Sequence, residues 1–230
     1  MRSGMDAVEK RSLWFQFCER HGLGSDPAPL FSVTDGRVDT VAVGSANQIF
    51  LKRSAEMERL MQQAATLVIR DHSARTNLFD GLIYCMFEVL DGRPHPLYIG
   101  KAGKIGTSGR DVLSANIKGL DTRQTRMFGR WGYGYAYHFG NLSAVVLDHT
   151  GKHQRRNYTR WADELFDKPF DDRRLRRPVY FWAKAWSARD AGPWQEFGET
   201  RLVFLEHLLI GITSGVFPSL LNSENDIGDD

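Results

Sequence analysis

One carboxylate stands where a carboxylate is costly. Glu206 lies in Leu202-Val203-Phe204-Leu205-Glu206-His207-Leu208-Leu209-Ile210, a segment apolar nearly all round. A helix of that pattern is expected to be buried, so Glu206 needs a partner or a cation. A single Mg²⁺ or Mn²⁺ would serve, because hard cations take oxygen ligands and can be held by one carboxylate with waters and a phosphodiester. The alternative is a buried ion pair with an arginine. Tyr84 and Tyr98 fall in two neighbouring β-rich runs. If the register brings them to one face, two phenols flank one scissile phosphate, where they can orient or deprotonate the attacking water. Taken singly, each is more commonly a half-buried strand tyrosine with a wet hydroxyl. Gly100 ends the second run where backbone can approach a phosphate closely, and Lys101 after it supplies a point charge.

A second concentration of chemistry is Phe128-Gly129-Arg130-Trp131-Gly132-Tyr133-Gly134-Tyr135-Ala136-Tyr137-His138-Phe139-Gly140. Arg130 offers a planar fork to a phosphate, Trp131 a surface for a base, and His138 a general acid or base. The competing reading is a glycine-rich turn whose aromatics fold back onto the core. The surrounding sequence is basic: residues 101–177 hold sixteen Lys and Arg against eight Asp and Glu, whereas residues 1–80 balance ten against ten. Lys104 and Arg126 belong to this basic stretch and are candidate phosphate contacts. Clustered cations interleaved with aromatics suit nucleic acid, although a solvated basic surface would look the same. His149 and His153 have the spacing of a metal pair on a helix, but no third ligand is near, and they read as surface.

The elements that must position these residues follow from periodicity and punctuation. Apolar spacing predicts helices over 6–21, 54–70 and 197–212. Strands are expected over 38–43, 82–89, 95–100 and 179–186, with Asp91-Gly92-Arg93-Pro94 closing a hairpin between the second and third. The expected fold class is α+β: a small three-stranded sheet, mixed or antiparallel, flanked by helices. Residues 1–78 read as a mostly helical N-terminal extension, 79–225 as the domain with an insertion around 120–178, and 226–230 as an acidic tail. A composition of 42% hydrophobic and 25% charged residues over 230 positions supports one sizeable core and excludes disorder, collagen-like repeats and coiled coil. Cys18 and Cys85 stand far apart, so neither a disulfide framework nor a structural zinc site is encoded. No run reaches the roughly 20 apolar residues of a membrane span. The opening Met1-Arg2-Ser3-Gly4-Met5-Asp6 lacks a signal-peptide core, and a cytoplasmic location is expected.

Leu82-Ile83-Tyr84 followed by Tyr98-Ile99-Gly100-Lys101-Ala102 resembles the two-part signature of the GIY-YIG nucleases. A basic region with Arg110, the strand at 179–186, Glu206 on a helix and Asn222 after Pro218 follow in the family's order. The resemblance covers about residues 80–225. It implies a DNA endonuclease of the restriction or defence type, dependent on one Mg²⁺ or Mn²⁺ per active site held by Glu206. Arg110 would hold the transition-state phosphate with Arg130 as its rival, Tyr84 and Tyr98 would position water, and the Asn222 amide would brace the site. DNA is the expected partner, with no membrane; a homodimer would let one site per chain cut both strands. A structure-specific repair nuclease, or a nucleic-acid-binding protein that has lost the chemistry, are the other readings.

Overall fold

The computed structural model describes residues 5–106, 111–122, 128–150 and 156–222. The chain begins with a reciprocal cap: the Asp6 carboxylate accepts from the Val8 and Glu9 N–H groups, and Glu9 accepts from the Asp6 N–H. This starts α1 (Ala7–His21), which ends at Gly22 in the left-handed conformation. Five short strands follow: β1 (Ala28–Pro29), β2 (Val33–Thr34), β3 (Arg37–Val38), β4 (Thr40–Val43) and β5 (Gln48–Leu51). The extension is therefore not mostly helical, and the strand expected over 38–43 is divided at Asp39. Two-residue strands closed by a tight Asp35-Gly36 turn are too short to leave a readable alternation. Ser54 then caps α2 (Ala55–Ala74) by accepting from the Met57 N–H.

The central hairpin joins β6 (Phe79–Leu90) to β7 (Arg93–Gly103) through Asp91 and Gly92, whose φ values of 50° and 72° give the two-residue turn that matches strand twist. β8 (Tyr180–Ser187) pairs with the other side of β6, and β1 adds to β8. The sheet therefore has four strands, in the order β1-β8-β6-β7, all antiparallel. The fourth strand was hidden because Ala28–Pro29 is only two residues long, and proline is tolerated there because β1 is an edge.

Alternation along β6 divides the core in two. Ile83, Cys85 and Phe87 face α1 and α5 (Leu202–Thr213), packing with Trp14, Phe17, Leu205 and Leu209. Leu82, Tyr84 and Met86 face the other way, toward α2 and the layer containing α3 (His138–Val146) and α4 (Arg156–Leu165). Both cysteines are buried free thiols. α5 departs from expectation twice. It starts at Leu202 rather than near 197, because the 3₁₀ turn Gln195–Phe197 ends at Gly198 with φ 65°. It is also buried on one face only: Val203 and Phe204 are exposed. No described helix is long and apolar enough to cross a membrane.

Candidate functional site

Lys101 pairs with Ile83 across the hairpin and so faces α5. Its Nζ lies 3.5 Å from Glu206 Oε2, with the two side chains 15% and 14% exposed. The carboxylate in the apolar helix thus has a cation partner, a lysine. Lys101 lines a cleft of about 920 Å³ together with Lys104, Asp80, Asn77, Arg201 and Phe204, and Glu206 stands behind it. Arg201 Nε donates to Asp80 Oδ2 at 2.7 Å, which fixes the start of α5 against β6. Lys104, expected as a phosphate contact, is instead a buried strut: its ammonium donates to Asp71 Oδ2 at 2.8 Å and to Asn77 Oδ1 at 3.2 Å. Asp71 also accepts from the Thr76 hydroxyl and from the Leu78 and Phe79 N–H groups. Burial pushes the Asp71 pKa up, but these donors, led by Lys104, outweigh it and hold the carboxyl well below its usual range.

Tyr84 and Tyr98 share a face, as expected, but it is the opposite face of the sheet from Lys101. Tyr84 pairs with Gly100, Tyr98 pairs with Met86, and both tyrosines belong to the core that α2 covers. The Tyr84 ring lies across Gly100: a Cβ there would meet its Cε2 at 2.6 Å. Gly100 therefore makes room for a phenol rather than for a phosphate on that side. Tyr98 sits in a box of Trp131, His138 and Trp161, with ring centroids 6.2, 5.0 and 5.0 Å away.

The run 128–140 folds back onto the core, the second of its two readings. Trp131 and His138 are buried. His138 Nδ1 lies 2.8 Å from the Tyr158 hydroxyl. Burial, with a smaller push from the Arg130 charge, lowers its pKa to about 3, so the ring is neutral at physiological pH. Trp131 Nε1 and His138 Nε2 have no hydrogen-bond partner among the described residues. Neither Trp131, Arg130 nor His138 lines the cleft. The exposed positions expected for a base contact and a proton-transfer group are lost because the glycines let the aromatic side chains turn inward.

Asn222 is hydrogen-bonded to the backbone of β7. Its Oδ1 accepts from the Ile99 N–H at 2.9 Å and its Nδ2 donates to the Ile99 carbonyl at 2.8 Å, so one amide pairs like a strand residue with the middle of Tyr98-Ile99-Gly100. Arg110, Arg126 and His153 lie outside the described residues.

Sequence reasoning passed over Asp71, Asp80 and Arg53. Arg53 is wholly buried, donates to the Trp131 carbonyl at 2.7 Å and lies 4.0 Å from the Tyr133 ring centroid. Only the Ser54 cap beside it hinted at a structured junction. Among the described residues no three His, Cys, Asp or Glu side chains gather as a metal cage. Glu206, already beside Lys101, is the carboxylate that a hydrated Mg²⁺ or Mn²⁺ would use, since such ions are commonly held by one or two carboxylates plus waters and substrate oxygens. No family model matches the chain, and no curated protein or solved structure does.

Proposed function

We propose that the chain is a divalent-metal-dependent endonuclease of the GIY-YIG kind, acting on DNA phosphodiesters at the cleft beside Lys101 and Glu206. The observation that carries this reading is that carboxylate, set in an otherwise apolar helix and held 3.5 Å from the lysine that follows Tyr98-Ile99-Gly100. A hydrated Mg²⁺ or Mn²⁺ supplies Lewis-acid stabilisation of a phosphoryl oxygen and a more acidic water. Glu206 would hold it, and Lys101 would offer its charge to the non-bridging oxygens. Asn222 keeps Ile99, and hence Lys101, in register. The tyrosines support the strand from its far face. A restriction or defence role, a cytoplasmic location and action as a homodimer belong to the same reading, with structure-specific repair as its alternative.

A second reading is favoured by the burial of Tyr84, Tyr98 and His138 in one aromatic core: a protein that binds nucleic acid and no longer cuts it. Incubation with supercoiled plasmid separates the two. The wild type with Mg²⁺ or Mn²⁺ is expected to nick or linearise the plasmid, and Glu206→Gln to lower the rate at least about a hundredfold. Full metal-dependent cleavage by Glu206→Gln would falsify the assignment, and salt-sensitive binding without cleavage by the wild type selects the second reading.

A further inference from the structure

The outer face of α5 is unusual for a surface helix. Such helices ordinarily turn charged side chains outward, yet the exposed positions here include Val203, Phe204, His207 and Gly211. Val203 is 55% and Phe204 68% exposed. Both line the cleft that holds Lys101 and Arg201, and Phe204 precedes Glu206 by two positions. Adjacent exposed apolar side chains at the rim of a polar cleft offer a surface for binding. A phenyl ring carried on a helix is also a ready stacking surface.

Charge narrows the occupant. Glu206 and Asp71 already hold two cations of the wall, Lys101 and Lys104; the one turned outward is Arg201, 70% exposed, which gives its Nε to Asp80 and stands three positions before Phe204. What fits joins a flat apolar group to an anion within a few bonds. A nucleotide whose base is unpaired does this, with the base on the ring and the phosphate toward the Arg201 guanidinium. A base inside a duplex does not, because both its faces are already stacked, and it must leave the helix first.

We propose that Phe204 is a stacking platform for one unpaired base, so that the cleft takes single-stranded or locally opened nucleic acid in preference to duplex. The proposal rests on the nucleic-acid reading of the Lys101–Glu206 cleft and names the substrate class of that site. The test is fluorescence anisotropy with a labelled single-stranded oligonucleotide and the blunt duplex of the same sequence. It is run over a series of salt concentrations with EDTA present, on the wild type, Phe204→Ala and Phe204→Trp.

The wild type is expected to bind the single strand about tenfold more tightly than the duplex, with Phe204→Ala losing about that factor on the single strand alone. Phe204→Trp should keep the preference, and the salt slope should not change in either variant, since no phosphate contact is removed. Equal affinity for both forms, or a preference that survives in Phe204→Ala, overturns the proposal. So does conversion of a dimer to a monomer by Phe204→Ala in sedimentation, which gives the apolar face to a second copy of the chain. The metal is chelated throughout, so cleavage is read separately. A wild type that binds through Phe204 but never cuts with Mg²⁺ retains the platform and loses the nuclease.

Discussion

Inside the aromatic box His138 stays neutral down to a pH of about 3, while in the unfolded chain it titrates near 6.5. Below pH 6.5 the unfolded state therefore binds a proton that the folded state refuses, and stability falls as pH falls. His21, lowered to about 4 chiefly by burial and then by the Lys184 charge, acts with the same sign. The unfolding free energy measured by urea titration is expected to drop from pH 6.5 toward pH 4. His138 should contribute about 1 kcal/mol per pH unit at the lower end, and His138→Gln should flatten the slope. Asp71 works on a lower window: its depressed pKa stabilises the fold above the ordinary aspartate range, and that contribution is lost as pH falls through its folded value. Asp71→Asn leaves the buried Lys104 ammonium without its carboxylate. It is expected to cost about 3 kcal/mol, seen as a lower Tm at neutral pH with a shallower loss in acid.

Among the elements, the turn at Gly129–Trp131 owes its position to Arg53. One guanidinium donates to the Trp131 carbonyl, lies over the Phe128 and Tyr133 rings and pairs with Glu58 on α2. Arg53→Met keeps the volume and leaves that carbonyl unpaired; the expected loss is about 2 kcal/mol, with a changed Trp fluorescence spectrum as the sign that the box has loosened. The same contrast explains what could be read in advance. The hairpin was legible, because Asp91-Gly92 between β-rich runs specifies its own turn. So were α1, from its apolar spacing, and the placement of Glu206 on a helix. The inward turn of 128–140 was not, because its aromatics suit a cleft and a core equally well and the partner that decides between them, Arg53, is distant in sequence. Nor was the separation of Tyr98 from Lys101: the strand was expected to end at Gly100, but it runs to Gly103, and three positions within one strand put two side chains on opposite faces.

For the molecule as a whole, the extension is built into both layers. α1 covers the Ile83 and Phe87 face, α2 covers the Tyr84 face, and β1 completes the sheet. A fragment of residues 79–222 would uncover Trp182 and Trp186 on one side and Met86 on the other. It is expected to be insoluble or to lack a cooperative thermal transition by circular dichroism, whereas an independent domain would melt cooperatively. At the far margin of the sheet, β7 begins with two prolines, Pro94 and Pro96, that offer no N–H. Beyond them, the Leu221 N–H donates to the Leu97 carbonyl at 2.7 Å and Asn222 satisfies both backbone groups of Ile99. A bare strand of this kind would be a template on which a second molecule could add its own backbone, the first step of open-ended aggregation. The segment that braces Tyr98-Ile99-Gly100 thus also seals the sheet margin against self-association.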